Sequence, residues 1–242
     1  MNQLGLIGFP LKHSFSKGYF ADKFKKEGIE GYHYENFELN NIHLFPFLIQ
    51  RIQNLRGLNV TIPYKEQVIP FLDQVDESGA FGAVNTILIK EGKTTGYNTD
   101  VYGFRISLEK NLHESDKNAL ILGTGGASKA VAFVLEQLEI SYQLVSRNAD
   151  KGDLTYAELD AEVMANHQLI INTTPLGMFP KNKTCPDINF EYINDQHLCY
   201  DLVYNPEKTL FLRDAERRGA RIQNGLEMLH LQAEKAWEIW TR

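Results

Sequence analysis

The sequence predicts an α/β fold in two domains. Three observations lead there. Apolar runs of strand length alternate with helix-length segments along the chain; 242 residues exceed one average domain; and a glycine-rich turn at mid-chain joins an apolar run to a helical segment. Leu4–Gly8 is a short apolar run closed by glycine and proline, as in a buried strand. Ser14 and Ser16 then precede a helix that Gly28 ends. Tyr32–Leu39 alternates as a strand does, and Asn41–Leu55 reads as a helix broken once at Pro46. Leu58–Thr61 is a strand, and Asn85–Ile89 with Lys93–Tyr97 flank Glu91-Gly92 as a hairpin. This half therefore predicts a mixed sheet.

The second half is more regular. Asp100 to about Leu112 reads as a helix, Ala119–Leu122 as a strand, and the segment through Leu138 as a helix. Tyr142–Ser146, Leu169–Thr174 and Leu198–Leu202 are strands, Pro206–Arg218 is a helix, and Gly225–Trp240 is a long amphipathic helix. Repeated β-α-β order predicts a parallel sheet covered by helices. Between Arg147 and Asp153 the chain is too short and polar for a helical crossover, so one side of this sheet is expected to be trimmed.

Composition excludes several classes. Hydrophobic residues make up 43% and charged residues 23%, an ordinary globular balance. Lys plus Arg is 25 against 31 for Asp plus Glu, a net charge of -6 that argues against nucleic-acid and polybasic membrane binding. Two cysteines, Cys185 and Cys199, make neither a disulfide framework nor a thiolate zinc site. The seven histidines show no ligand spacing, so no metal is expected. His13 beside the serines is more often a structural hydrogen-bonder than a catalyst. No signal peptide or membrane span is indicated, and the cytoplasm is the expected compartment.

The turn Gly123-Thr124-Gly125-Gly126-Ala127-Ser128 follows an apolar strand and opens a helix. Its chemistry is backbone approach: without side chains, a pyrophosphate reaches the N–H groups at the helix N-terminus, where the dipole favours negative charge. The bland reading is a tight turn with no ligand; the strand–turn–helix order argues against it. The domain is thus Rossmann-like and dinucleotide-binding. The next strand ends at Ser146-Arg147, where NAD enzymes commonly place an acid. An acid would repel a 2′-phosphate and a guanidinium pairs with one, so NADP is the expected cofactor. The alternative for Arg147 is a solvated surface arginine.

The front half carries polar clusters at strand ends. Ser14 and Ser16 stand at a helix start; Asn59-Val60-Thr61-Ile62-Pro63-Tyr64-Lys65 follows a strand; Ala83-Val84-Asn85-Thr86 and Tyr97-Asn98-Thr99-Asp100 add an amide and a carboxylate. Singly these are caps, turns and a surface lysine. Together, and in this order, they resemble the shikimate dehydrogenase family. The resemblance continues through Gly123–Ala127, Asn172-Thr173-Thr174-Pro175-Leu176-Gly177-Met178, Tyr200–Pro206 and Gly225–Ala233, nearly the whole chain.

The resemblance implies two α/β domains with a cleft between them and NADP-dependent reduction of 3-dehydroshikimate to shikimate, a step towards chorismate and the aromatic amino acids. By that resemblance Lys65 and Asp100 are the catalytic pair. Ser14, Ser16 and Tyr204 hold the substrate carboxylate; Thr61, Asn85 and Gln232 hold ring hydroxyls. Gly123, Gly125, Gly126, Ala127 and Arg147 hold NADP, and Met178 and Gly225 lie near the nicotinamide. The chemistry agrees with these roles. Charge left on the ketone oxygen needs a proton or a donor, which a lysine supplies, and hydroxyls at a helix N-terminus suit a carboxylate. The residues leave open whether Lys65 chiefly transfers the proton or positions substrate. Lys17, Ser146 and Glu227 depart from the family's usual proline, asparagine and small residue.

The expected domains are residues 1–99 with 225–242 for substrate and 100–224 for NADP. The C-terminal helix completes the first, with Trp237 and Trp240 packing against it. Alternatives are a quinate/shikimate dehydrogenase-like enzyme with broader substrate and cofactor use, and a paralogue that binds these ligands without turnover. The small-molecule substrate is the one partner expected; a homodimer is an assembly to test, since no sequence feature sets the oligomeric state.

Overall fold

The computed structural model describes residues 1–11 and 14–242; Lys12 and His13 lie outside the described residues. The chain divides into two compact units, residues 1–100 with 232–242 and residues 101–231.

The first unit is built on strands β1 (Asn2–Gly8), β2 (Tyr32–Glu38), β3 (Leu55–Val60), β4 (Gln74–Val75), β5 (Thr86–Lys90) and β6 (Lys93–Tyr97), in the order β2-β1-β3-β5-β6-β4. β1 runs parallel to β2 and β3, whereas β3–β5 and β5–β6 are antiparallel, so the sheet is mixed as expected. The hairpin turns at Glu91 and Gly92, both at positive φ, as a two-residue loop requires. Helix α1 (Phe15–Glu27) starts where the Ser14 side chain accepts from the Lys17 N–H and stops at Gly28, which is left-handed.

The segment 41–55 differs from the expected single helix. A 3₁₀ turn at Ile42–Leu44 leads into a short α2 (Phe45–Arg51). Pro46 stands in the first helical turn, where its missing N–H costs nothing, so it helps to start α2. Asn54 then turns the chain at φ 59, and β3 begins at Leu55, three residues earlier than its apolar core suggests.

Two apolar clusters hold this sheet. One gathers Ile7, Phe45, Leu58, Val60, Tyr64 and Ile87. The other joins Leu4, Leu6, Phe20 and Tyr34 to Ala233, Ala236, Ile239 and Trp240 from the last helix, α7 (Leu226–Trp240). Trp240 is fully buried and its Nε1 donates to the Ile87 carbonyl at 3.0 Å, satisfying the polar end of a large apolar side chain. Trp237 lies against Phe24 and Tyr32 at ring separations of 5.4 and 4.9 Å.

The second unit is a wholly parallel sheet of β7 (Asn118–Leu122), β8 (Ser141–Ser146), β9 (Leu154–Thr155), β10 (Leu169–Asn172), β11 (Leu198–Asp201) and β12 (Arg221–Asn224), ordered β12-β11-β10-β7-β8-β9. The chain winds outward from β7 through β9, returns to β10, and winds outward the other way. Strand order therefore reverses between β7 and β10, a topological switch point of the kind where open α/β sheets bind ligands. Strands β7 and β10 are buried on both faces and read as continuous apolar runs. The sheet packs with α3 (Thr99–Glu109) through Phe104 and Ser107 against Tyr200, with α4 (Gly126–Gln137) through its buried face, and with α5 (Ala161–Asn166) and α6 (Leu210–Arg217) through Met164, Phe211 and Leu212. Between β8 and β9 only residues 147–153 intervene, with one 3₁₀ turn at Ala149–Lys151, so the crossover is indeed trimmed. α6 starts at Leu210, not Pro206, because the Thr209 side chain caps it. Among the described residues no helix is long and apolar enough to cross a membrane.

Candidate active site

In the first unit, Lys65 and Asp100 meet: Nζ donates to Oδ2 at 2.6 Å. Local structure fixes both ends. The turn after β3 is closed by Tyr64 N–H to the Thr61 carbonyl, and the buried Tyr64 hydroxyl donates to the Leu39 carbonyl at 2.6 Å. The Lys65 carbonyl in turn accepts from Val84 N–H at 2.8 Å. Asp100 sits in the first turn of α3, where its N–H donates to Asn98 Oδ1 at 3.0 Å and Asn98 Nδ2 donates to the Ala83 carbonyl at 2.9 Å. The pair is part-buried, with side-chain exposures of 31% and 19%, so the ammonium is held yet reachable.

Asn85, Thr86, Thr99 and Gln232 form a buried polar cluster beside this pair. Asn85 Oδ1 accepts from Thr99 N–H (2.7 Å), Thr99 Oγ1 (3.1 Å) and Thr86 Oγ1 (3.1 Å). The Thr99 hydroxyl also reaches Gln232 Oε1 at 3.4 Å. Asn85 is thus fixed through its oxygen, and among the described residues its Nδ2 makes no hydrogen bond, which leaves a donor for a ligand. Thr61 packs its methyl against Gly8, and its hydroxyl likewise makes none.

Ser14 is the cap of α1 and Ser16 lies in its first turn. The Tyr34 hydroxyl donates to Asn59 Oδ1 at 2.8 Å, and Asn59 Nδ2 donates to the Asn85 carbonyl and to Thr86 Oγ1. Burial lifts the Tyr34 phenol far above its ordinary range, so it stays protonated as a donor. The sequence alone assigns no role to Tyr34, Asn59, Thr86 or Thr99. Their signal was present: a buried tyrosine on a strand must place its hydroxyl, and Asn59 and Thr99 sit inside the two most distinctive polar stretches.

In the second unit, Gly123 follows β7 at φ 111, in a region that L side chains rarely adopt, and a Cβ there would press on Thr173 Oγ1 at 2.9 Å. The turn thus lies flush against the end of β10. Gly125 is the N-cap of α4 without any side-chain cap, Gly125, Gly126 and Ala127 are accessible at the turn, and a Cβ at Gly125 would meet nothing within 4 Å. Open space over uncapped helix N–H groups is what a pyrophosphate needs. Ser128, in the third-glycine position, is buried and its hydroxyl donates to the Gly125 carbonyl at 2.6 Å, so the side chain braces the turn. Arg147 is exposed just past β8 and makes no hydrogen bond or ion pair among the described residues. Met178 is 46% exposed on the loop after β10. Tyr204 is half-buried on the loop after β11, with its phenol raised by burial. Gly225 is buried, against the Leu202 carbonyl.

A glycine turn at the switch point of a parallel sheet in one unit, and an ammonium–carboxylate pair among donor side chains in the other, define a two-unit α/β oxidoreductase of the dinucleotide-dependent class. The family described as shikimate dehydrogenase substrate binding domain matches residues 6–87. A shikimate dehydrogenase (NADP(+)) of Methanosphaera stadtmanae is 38% identical over 256 residues, covering 98% of this chain and 90% of that protein. A Thermus thermophilus shikimate 5-dehydrogenase, solved with NADP(H) and shikimate, superposes with a TM-score of 0.88 at 31% identity, covering 100% of this chain and 94% of that one. A quinate dehydrogenase of Corynebacterium glutamicum, solved with NAD, reaches a TM-score of 0.88 at 26% identity, covering 99% and 93%. The chain belongs to the shikimate dehydrogenase family.

Proposed function

We propose that the protein is an NADP-dependent oxidoreductase that interconverts 3-dehydroshikimate and shikimate, a step towards chorismate and the aromatic amino acids. The observation that carries this reading is the Lys65–Asp100 contact of 2.6 Å, set among donors that suit a polyhydroxylated ring. Lys65 gives its proton to the ketone oxygen as the carbonyl carbon is reduced, and takes it back in the oxidative direction. Asp100 holds the ammonium in place through a charge-assisted hydrogen bond. Asn85 Nδ2 and the Thr61 hydroxyl donate to ring hydroxyls, with Gln232 completing that set. Ser14, Ser16 and Tyr204 bind the carboxylate. NADP, when bound, supplies or accepts the hydride; the N–H groups at the start of α4 would hold its pyrophosphate and Arg147 its 2′-phosphate.

The retained acid–base pair favours turnover over a ligand-binding paralogue. Free thiols at Cys185 and Cys199 suit a reducing compartment and support a cytoplasmic location. A second reading, broader use of quinate and NAD, draws on the trimmed crossover after Arg147, which places only a 3₁₀ turn at Ala149–Lys151 beside the expected 2′-phosphate site. Absorbance at 340 nm with shikimate or quinate, each with NADP or NAD, separates these. NADPH formation with shikimate supports the proposal; equal rates with quinate and NAD favour the second reading; no turnover with any pair overturns both.

A further inference from the structure

One buried carboxylate in the second unit has no part in the mechanism above. Asp201, the last residue of β11, is fully buried, and among the described residues no cation is bonded to it. Each of its bonds reaches a different segment. Oδ1 accepts from Asn172 Nδ2 at 2.9 Å, directly across the β10–β11 pair, and from Val203 N–H at 3.0 Å. Oδ2 accepts from the Thr209 hydroxyl at 2.5 Å.

Beyond these partners the bonds run into three loops at the carboxyl ends of the strands. Asn172 Oδ1 accepts from Thr174 N–H (3.0 Å) and Thr174 Oγ1 (2.7 Å), and Leu176 N–H donates to that hydroxyl, so the 173–178 loop that bears Met178 is fixed from its base. Thr209 caps α6 and presses its Cβ on the site of any Cβ at Gly177, at 3.2 Å. Val203, held by Asp201, accepts at its carbonyl from Gly225 N–H, and a Cβ on Gly225 would meet the Leu202 carbonyl carbon at 2.7 Å. The 173–178 loop, the 202–205 loop and the 225 turn are therefore bound to one side chain.

We propose that Asp201 is a positioning residue: its carboxylate gathers the loops of Met178, Tyr204 and Gly225 into one arrangement, in which Met178 and Gly225 receive the nicotinamide end of the dinucleotide. The inference rests on the reading that this unit binds NADP. A purely structural brace would more cheaply be apolar, because a buried carboxylate pays for desolvation, and burial here lifts the group to about 6 against its three donors. An ionised acceptor instead satisfies three donors from separate segments at once, which no apolar side chain does.

The test compares two ligands on the same variant. Asp201→Asn keeps the shape and loses the uniform acceptor. NADPH spans the whole site, whereas adenosine 2′,5′-bisphosphate lacks the nicotinamide. Asp201→Asn is expected to weaken NADPH by about ten- to a hundredfold in equilibrium titration and to leave the bisphosphate within about twofold of wild type. Unchanged NADPH affinity overturns the proposal, and so does an equal loss for both ligands, which would assign Asp201 to the stability of the whole unit. A wild type that binds neither ligand overturns the functional reading itself. Should Asp201→Asn not fold, Thr174→Val cuts the relay at its half-buried end and is expected to weaken NADPH about threefold with the same selectivity; equal affinity for NADPH would again be contradictory.

Discussion

Asn85→Ala perturbs the polar cluster where fold and chemistry meet most closely. The side-chain oxygen accepts three bonds, but their loss is unequal. The Thr86 and Thr99 hydroxyls lie 3.2 Å apart and Thr99 also reaches Gln232, so both can rotate to other acceptors. The Thr99 N–H cannot. It is the first residue of α3, is 1% exposed, and points at Asn85 Oδ1 at 2.7 Å. One stranded buried N–H costs about 1–3 kcal/mol, and weakened hydroxyl bonds bring the total to about 2–4 kcal/mol. For a chain of this length that lowers Tm by roughly 4–15 °C in a thermal melt. Function should fall further than stability alone explains, because Asp100 is the next residue and the Asn85 amide is a proposed substrate donor. kcat/KM for shikimate is expected to drop about 10–100-fold while KM for NADP stays within about twofold. An unchanged Tm would refute the claim that this N–H depends on Asn85. An equal rise in KM for NADP would refute the assignment of the cluster to substrate.

Three further outcomes follow from the structure. Arg147→Ala should weaken NADP about ten- to a hundredfold and leave NAD nearly unchanged, since the guanidinium makes no ion pair that its removal would disturb; equal losses in titration would contradict it. Ser14→Ala with Ser16→Ala should raise KM for shikimate about tenfold or more, leave KM for NADP alone, and cost about 1 kcal/mol in denaturation because Ser14 also caps α1. Asp201 predicts a pH signature in stability. Burial raises its carboxyl from 3.8 to about 6, so the folded protein holds that proton more tightly than the unfolded chain. The contribution is fully present below the unfolded value of 3.8 and is lost as pH rises through about 6, so wild type should gain roughly 2 kcal/mol on Asp201→Asn between about pH 7 and pH 4. A pH-independent difference between the two would contradict the raised value.

The parallel sheet was legible because its central strands are buried on both faces and show as unbroken apolar runs such as Leu169–Ile171. β12 was not, because Arg221–Asn224 is half-buried and polar and becomes a strand through pairing with β11. Asn41–Leu55 misled because Pro46 looked like a break within a helix and proved to sit at a helix start, while Asn54 gave no strong warning of the left-handed turn before β3. The Lys65–Asp100 contact joins residues 35 positions apart and was available only through resemblance. The Tyr34–Asn59–Asn85 chain was hidden for another reason: hydrogen-bond partners across a sheet depend on register, and register is not written in any one strand. Asp201 was passed over as part of an apolar strand end, since nothing in Tyr200-Asp201-Leu202 shows that three separate segments converge on it.

The most direct test of the account is Lys65→Met, which keeps the length of the side chain and removes the proton. The measurement is steady-state kinetics with shikimate and NADP beside equilibrium binding of shikimate. With proton transfer at Lys65, kcat falls about 10²–10⁴-fold while shikimate affinity changes only a few-fold. If kcat is retained and KM alone rises, Lys65 only binds substrate and the acid–base assignment to Lys65 and Asp100 is wrong.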